Sequence, residues 1–287
     1  MLREFLVIDM NKKKIKMFVL VGLLIISCFM ISGCNIQKLL KKTIINEIEN
    51  RYIEYSQNIT VEDIEQALIE GSNIAKSCTV AIRVIKSGCG IITTTESLGS
   101  GVIVKRTKNY DNTYHYLVVT NRHVTGTNAN AKFSVYLDND NYISASLIRY
   151  DSTYDLALIS FDSGILLNVA TFCEEKLNIG QYAIAVGSPY DIESFYNTVT
   201  IGAISCPQRM IQEEDLNGKT VNNTFVQHDA AINSGNSGGG LYDIYGRLIG
   251  INTWKLVGDP GDNFEGLNFA IPSTVVYTTF ESYLKND

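Results

Sequence analysis

Apolar positions along this 287-residue chain change their spacing twice. Residues 17–31 form an almost unbroken apolar run of about 15 residues, near the upper length of an export-signal core and short for a membrane-spanning helix. From 38 to about 77 the spacing is helical: Val61, Ile64 and Leu68 recur on one face, and Thr60 with Asp63 makes a candidate capping box. From 78 onward the apolar runs shorten to strand length, at 78–85, 101–104, 116–120, 133–137 and 156–161, separated by Gly, Asn and Asp clusters. A second series occupies 182–186, 199–205, 224–228, 239–242, 248–252 and 267–271, with a C-terminal helix after Pro272. Two sets of about six strands predict an all-β fold of two barrels, about 78–170 and 176–273, with short helices at both ends. The segment 208–223 is polar and aperiodic and reads as a surface loop. The expected organisation is therefore a leader over 1–33, a tether and helical segment over 34–77, the β domain over 78–273, and a helix over 274–287.

Composition supports a packed core, with 45% hydrophobic residues, 19% charged residues and only four prolines. The formal charge is −6, yet the first 33 residues carry Arg3, Lys12, Lys13, Lys14 and Lys16 against Glu4 and Asp9, so the remainder is more acidic than the whole. Beyond the short run Lys38, Lys41 and Lys42 no cluster of lysine and arginine follows, which argues against a nucleic-acid partner. The lysines before the apolar run and the ending Ile31-Ser32-Gly33-Cys34 resemble a bacterial lipoprotein signal, in which the cysteine is lipidated. That resemblance implies an exported protein held to the outer face of a membrane through Cys34. Cys78, Cys89, Cys173 and Cys206 read as small buried hydrophobes. With no C-x-x-C and histidines only at 115, 123 and 228, zinc-ligand spacing is absent, and neither a metal nor a cofactor is expected.

The strongest chemical signal is Asn233-Ser234-Gly235-Asn236-Ser237-Gly238-Gly239, directly before an apolar strand. Glycines permit a tight turn that aims the Ser237 hydroxyl outward while the Gly235 and Ser237 N–H groups converge as an oxyanion hole. A serine hydroxyl is a weak nucleophile until an imidazole takes its proton, and His123, at the end of the strand around Leu117-Val118-Val119, is the candidate base. The carboxylate that would orient that ring should lie beside apolar chain, and Asp155, before Leu156-Ala157-Leu158-Ile159, fits; Asp151 is the second choice.

The order His, Asp, Ser is that of chymotrypsin-like proteases. The runs Gly99-Ser100-Gly101-Val102-Ile103, Thr120-Asn121-Arg122-His123-Val124, Asp155-Leu156-Ala157-Leu158, Asp229-Ala230-Ala231-Ile232-Asn233, Gly235-Asn236-Ser237-Gly238-Gly239, Ile249-Gly250-Ile251-Asn252-Thr253 and Asn268-Phe269-Ala270-Ile271-Pro272 resemble the HtrA (Deg) protease domain over roughly 78–272. The resemblance implies a chymotrypsin-like double β-barrel that cleaves polypeptides, with His123 as general base, Asp155 as its orienter, Ser237 as nucleophile, and the N–H groups of Gly235 and Ser237 on the oxyanion. It also implies a specificity pocket with Ala231 at its base, joined by Ile232, Asn252 and Asn268. Such a pocket is uncharged and disfavours charged side chains, which would be buried without a counter-charge.

Family members often trimerise near the start of the protease domain, which makes 64–78 a candidate homotrimer contact. The chain stops soon after Pro272, so the PDZ domain common in the family is not expected. Arg122 and His228 stand where the family often has smaller or neutral residues, and Asn268 where glycine is frequent; His228 reads as a hydrogen-bonded structural histidine. The competing functional readings are a catalytically silent lipoprotein that binds unfolded chains and an enzyme whose oxyanion loop orders only on activation.

Overall fold

The computed structural model describes residues 43, 45–47, 60–87, 94–126, 131–137, 141–255 and 265–285. The leader over 1–33, the lipidation candidate Cys34, Cys89 and most of the tether lie outside the described residues. No helix among the described residues is long and apolar enough to cross a membrane.

The first long element is helix α1, Val61–Ser77. Its expected capping box is present: the Asp63 N–H donates to Thr60 Oγ1 at 3.2 Å, and the Thr60 N–H donates to Asp63 Oδ2 at 2.8 Å. Of the three residues predicted on one face, Val61 and Ile64 are exposed and Leu68 packs against the core. The buried residues of the helix are Gly71 and Ala75. Packing explains the difference, since a side chain at Gly71 would collide with the Ile244 carbonyl, so only small residues let the helix lie on that turn.

Strands β1 (Thr79–Ser87), β2 (Thr94–Lys108), β3 (Tyr114–Asn121), β4 (Lys132–Leu137), β5 (Asn141–Asp151) and β6 (Leu156–Ser163) close into an antiparallel barrel in the order 1-2-3-6-5-4. Strands β7 (Tyr182–Gly187), β8 (Thr198–Glu214), β9 (Thr220–His228), β10 (Gly240–Tyr242), β11 (Leu248–Lys255) and β12 (Asn268–Pro272) close into a second barrel. Its order, 7-8-9-12-11-10, repeats that of the first, although no sequence repeat is visible. This is the double barrel the sequence predicts. Short helices complete it: α2 (Arg122–Thr125), α3 (Ile192–Phe195), α4 (Ser273–Thr279) and α5 (Glu281–Leu284).

Side-chain alternation divides each strand between two cores. In β3, Val118 points into the first barrel with Ile82, Ile103 and Ile159, whereas Leu117 and Val119 join a second cluster with Leu158, Ile184, Val186, Tyr242 and Ile251, drawn from both barrels. Both faces of such strands are therefore apolar, which is why they read as continuous runs rather than alternating ones. Tyr242 strengthens the seam by sharing a 2.7 Å hydrogen bond between its hydroxyl and Thr79 Oγ1.

The expected loop at 208–223 is instead the far half of a long β8–β9 hairpin, paired from Ile204↔His228 out to Glu214↔Thr220. Its turn is built by Asp215, whose Oδ1 accepts the N–H groups of Asn217 and Lys219, both at 2.9 Å, with Gly218 at φ 79°. The Asn217-Gly218 pair was the hairpin signal in an otherwise polar stretch. β5 was also unforeseen, because its side chains alternate between partial and full exposure and never form an apolar run.

His228, at the end of β9, is fully buried beside the Asn252 side chain and the Ala230 backbone, but neither ring nitrogen makes a well-formed hydrogen bond among the described residues. The expectation of a hydrogen-bonded structural histidine is met in its burial and not in its bonding. Burial pushes the pKa of the ring down from 6.5 to about 4. An unfolded chain takes up this proton near 6.5 while the folded one refuses it until about 4, so stability present above pH 6.5 is lost as pH falls through that window. Urea unfolding at pH 7 and pH 4 should show the native chain losing roughly 3 kcal/mol more than His228→Gln; equal losses would mean that the ring is not held neutral.

Candidate active site

β3 delivers its last residue, Asn121, to the seam between the barrels, and the single turn of α2 then presents His123 with an exposed ring. Asp155 ends the turn between β5 and β6 at φ 53°, a left-handed conformation that aspartate tolerates better than most side chains. The two are in contact: His123 Nδ1 lies 2.6 Å from Asp155 Oδ2, and the His123 N–H donates to Asp155 Oδ1 at 2.8 Å. Thr253 Oγ1 donates to the same carboxylate at 3.1 Å. On the main-chain side, the Asp155 carbonyl accepts the Arg122 N–H and Asn121 Nδ2, each at 3.0 Å. With Nδ1 carrying the proton to Asp155, Nε2 keeps its lone pair free.

Arg122, beside the ring, does not reach solvent with its charge. Its guanidinium is buried, donates to the Gly126 carbonyl and stacks 4.1 Å from the centre of the Tyr150 ring. It therefore braces α2 through packing as much as through charge.

Ser237 sits in the turn before β10, half-buried. Gly235 and Gly238 have φ of 101° and 83°, and a side chain at the first would strike the Ser188 carbonyl, at the second the Ser100 carbonyl. Neither the Gly235 nor the Ser237 N–H donates a hydrogen bond among the described residues, while the Ser234 carbonyl is taken by the Tyr190 N–H at 2.9 Å. The Ser237 hydroxyl donates to the Thr253 carbonyl at 2.9 Å and makes no hydrogen bond to His123. The structure thus brings His123 and Asp155 into direct contact and connects Ser237 to them through Thr253, which bonds Asp155 with its side chain and Ser237 with its carbonyl.

Of the residues expected to line a pocket, only Ala231 is exposed. Ile232 is buried in the core of the second barrel. Asn252 and Asn268 lie inside that barrel, their amides donating to the carbonyls of Gly240 at 2.9 Å and Ala230 at 3.0 Å. Both amides are committed to buried backbone carbonyls, so they support the turn from behind.

Two contributors carried no assigned role in the sequence. Thr253 is one; Ser100 is the other, buried between the barrels, where its hydroxyl donates to the Gly235 carbonyl at 2.7 Å and accepts the Ser188 N–H at 2.9 Å. Its own N–H donates to the Ser237 carbonyl at 2.9 Å. Both lie in the motif runs quoted above, which was the available signal.

The sequence model of the trypsin-like peptidase domain matches residues 99–251. The serine protease Do-like HtrA of Lactococcus lactis is 44% identical over 183 residues, covering 63% of this chain and 43% of that protein. The periplasmic pH-dependent serine endoprotease DegQ of Escherichia coli is 39% identical over 184 residues, covering 64% of this chain and 36% of that protein. This chain therefore spans less than half the length of these relatives. Among solved structures, the serine endoprotease from Yersinia pestis aligns with a TM-score of 0.55 at 28% identity, over 76% of this chain and 66% of that one. An HtrA-type protease solved with a tripeptide aligns with a TM-score of 0.59 at 29% identity, over 76% of this chain and 64% of that one.

Replacing Ser100 by alanine leaves the Gly235 carbonyl and the Ser188 N–H without their shared partner in a dry site. Ser100→Ala should lower unfolding free energy by about 1–3 kcal/mol in a urea titration; an unchanged midpoint would show that those groups find other partners.

Proposed function

Since this chain belongs to the trypsin-like peptidase family, we propose that it is a serine endopeptidase with His123, Asp155 and Ser237 as its triad. The observation that carries this reading is the 2.6 Å contact between His123 Nδ1 and Asp155 Oδ2, beside a serine whose turn leaves two N–H groups free. The Ser237 hydroxyl turns from the Thr253 carbonyl to His123 Nε2, gives up its proton and attacks the carbonyl carbon of the scissile bond. The N–H groups of Gly235 and Ser237 hold the developing oxyanion. His123 then protonates the leaving amine, and a water molecule, activated by the same ring, hydrolyses the acyl-enzyme. Asp155 keeps the ring in the required tautomer and stabilises the imidazolium between these transfers.

Ala231, the exposed residue of the four, lies at the base of an uncharged specificity pocket, with Ile232, Asn252 and Asn268 supporting it from within the barrel. The substrates are exported or misfolded polypeptides, in keeping with the periplasmic location in the name of the relative DegQ. The lysine-rich start, the apolar run and Cys34 support a lipoprotein anchored to the outer face of a membrane, and the segment 64–78 is the contact through which a homotrimer would form. The expected boundaries of the leader, tether and protease domain belong to the same reading.

The full chain should cleave unfolded casein, and Ser237→Ala should lower the rate at least about 1,000-fold, because the nucleophile acts as a unit with its base. Equal cleavage by both forms would remove the triad from consideration. Cells fed labelled palmitate should label the native chain and not Cys34→Ser; label retained in the variant would place any anchor elsewhere.

A further inference from the structure

The β8–β9 hairpin does more than extend the second barrel: it grips the turn of the first barrel that ends in Asp155. Asn223, in β9 and almost wholly buried, donates from Nδ2 to the Thr153 carbonyl at 2.6 Å and to Glu213 Oε1 at 3.0 Å. Near the tip of the same hairpin, the Leu216 N–H donates to the Ser152 carbonyl at 3.3 Å. Two successive carbonyls of the Asp155 turn are thus held by one hairpin from the other barrel. Within the turn, the Tyr154 N–H is held by Asp151 Oδ1 at 2.9 Å.

Asp155 then enters the left-handed region, which a non-glycine residue keeps only where its surroundings fix it from several sides. Its downstream side is fixed by the Arg122 N–H and Asn121 Nδ2 on its carbonyl. Its upstream side is fixed, among the described residues, by Asp151 and the hairpin. Asn223 makes the shorter of the two hairpin bonds and is the one that acts through a side chain. Glu213 holds the other hydrogen of the Asn223 amide, so the amide cannot turn away from Thr153 without leaving the partly buried carboxylate unpaired.

We infer that Asn223 is a positioning residue for catalysis: by holding Thr153 across the barrel seam it fixes the backbone angle at which Asp155 presents its carboxylate to His123. The inference rests on the triad reading above and adds to it the residue that keeps the orienting carboxylate aligned. Asn223 touches neither substrate nor ring. Its loss lets the turn relax, Asp155 drift from His123 Nδ1, and the imidazolium lose its counter-charge.

The test uses the full chain with Asn223→Ala, and with Asn223→Leu as a neutral variant of similar size lacking the amide donor. For Asn223→Ala, kcat should fall roughly tenfold with KM within about twofold, since the misplacement lies in the machinery and not in substrate contacts. The acid limb of the kcat/KM profile should move down by about half a pH unit, because a less aligned carboxylate supports the imidazolium less. The low-field proton resonance of the His123–Asp155 hydrogen bond should weaken or move upfield. If Asn223→Ala does not fold, the same three readouts are taken on Asn223→Leu. A folded variant that loses stability yet keeps kcat, the acid limb and the resonance overturns the inference, leaving Asn223 a purely structural latch. Should the native chain cleave nothing, the triad reading fails, and the resonance alone still decides whether Asn223 aligns Asp155.

Discussion

The geometry of this site depends on a single backbone turn, the left-handed step at Asp155. A left-handed residue costs roughly 1–2 kcal/mol relative to the ordinary helical or extended regions. That cost is offset by what the step achieves, which is to turn the carboxylate towards three donors at once: the His123 N–H, the His123 ring and Thr253 Oγ1. Hydrogen bonds to an ionised group are about twice as strong as neutral ones, so three of them on one carboxylate outweigh the strain. The carboxylate therefore acts as the fixed point from which the imidazole is oriented. His123 is held twice, by backbone and by ring, and has little freedom to turn.

The fixed point works only because the two barrels cannot slide against each other. The seam is filled by the outward side chains of strands whose inward side chains fill the barrels, and polar rivets cross it. Ser100 ties β2 to the Gly235 carbonyl and to the Ser188 N–H, and Thr253 ties β11 to Asp155. The Ser237 turn is in turn fixed by sterics: its two left-handed glycines lie so close to neighbouring carbonyls that no side chain fits. His123 from one barrel and Ser237 from the other are thereby held by groups that serve both packing and alignment.

How much of this was legible depended on where each signal lay. Strands buried on both faces, such as 117–119 and 156–161, announce themselves as apolar runs. β5 and the outer half of β8–β9 do not, because half-exposed strands carry polar residues and their pairing is with chain far away. The contact of His123 with Asp155 and the turn at Ser237 were legible because their signals are local: a glycine turn, a strand end, a carboxylate against an apolar run. Ser100, Thr253 and Asn223 were not, because each acts across a large sequence separation, 135 residues from Ser100 to Gly235, 98 from Thr253 to Asp155 and 70 from Asn223 to Thr153. Asn252 and Asn268 were legible as polar residues near the site, but sequence could not show that their amides were already committed to buried carbonyls.

The Ser237 hydroxyl rests on the Thr253 carbonyl rather than on the imidazole, and magnitudes decide what this means for the proposed nucleophile. A neutral hydrogen bond contributes a net 0.5–1.5 kcal/mol or so, about 1 kcal/mol on average. A preference of that size for the resting rotamer reduces the reactive fraction roughly fivefold, since 1.4 kcal/mol is about a factor of ten. Turning the hydroxyl is one rotation about a side-chain bond and leaves the backbone in place. Removing one oxyanion donor instead costs an enzyme about 2.7–4 kcal/mol, and the N–H groups proposed for that role belong to a turn fixed by two glycines and by Ser100. On the triad reading proposed above, the rotamer of Ser237 is therefore a small effect beside the conformation of the backbone from Gly235 to Gly238, which is held from the other barrel through Ser100.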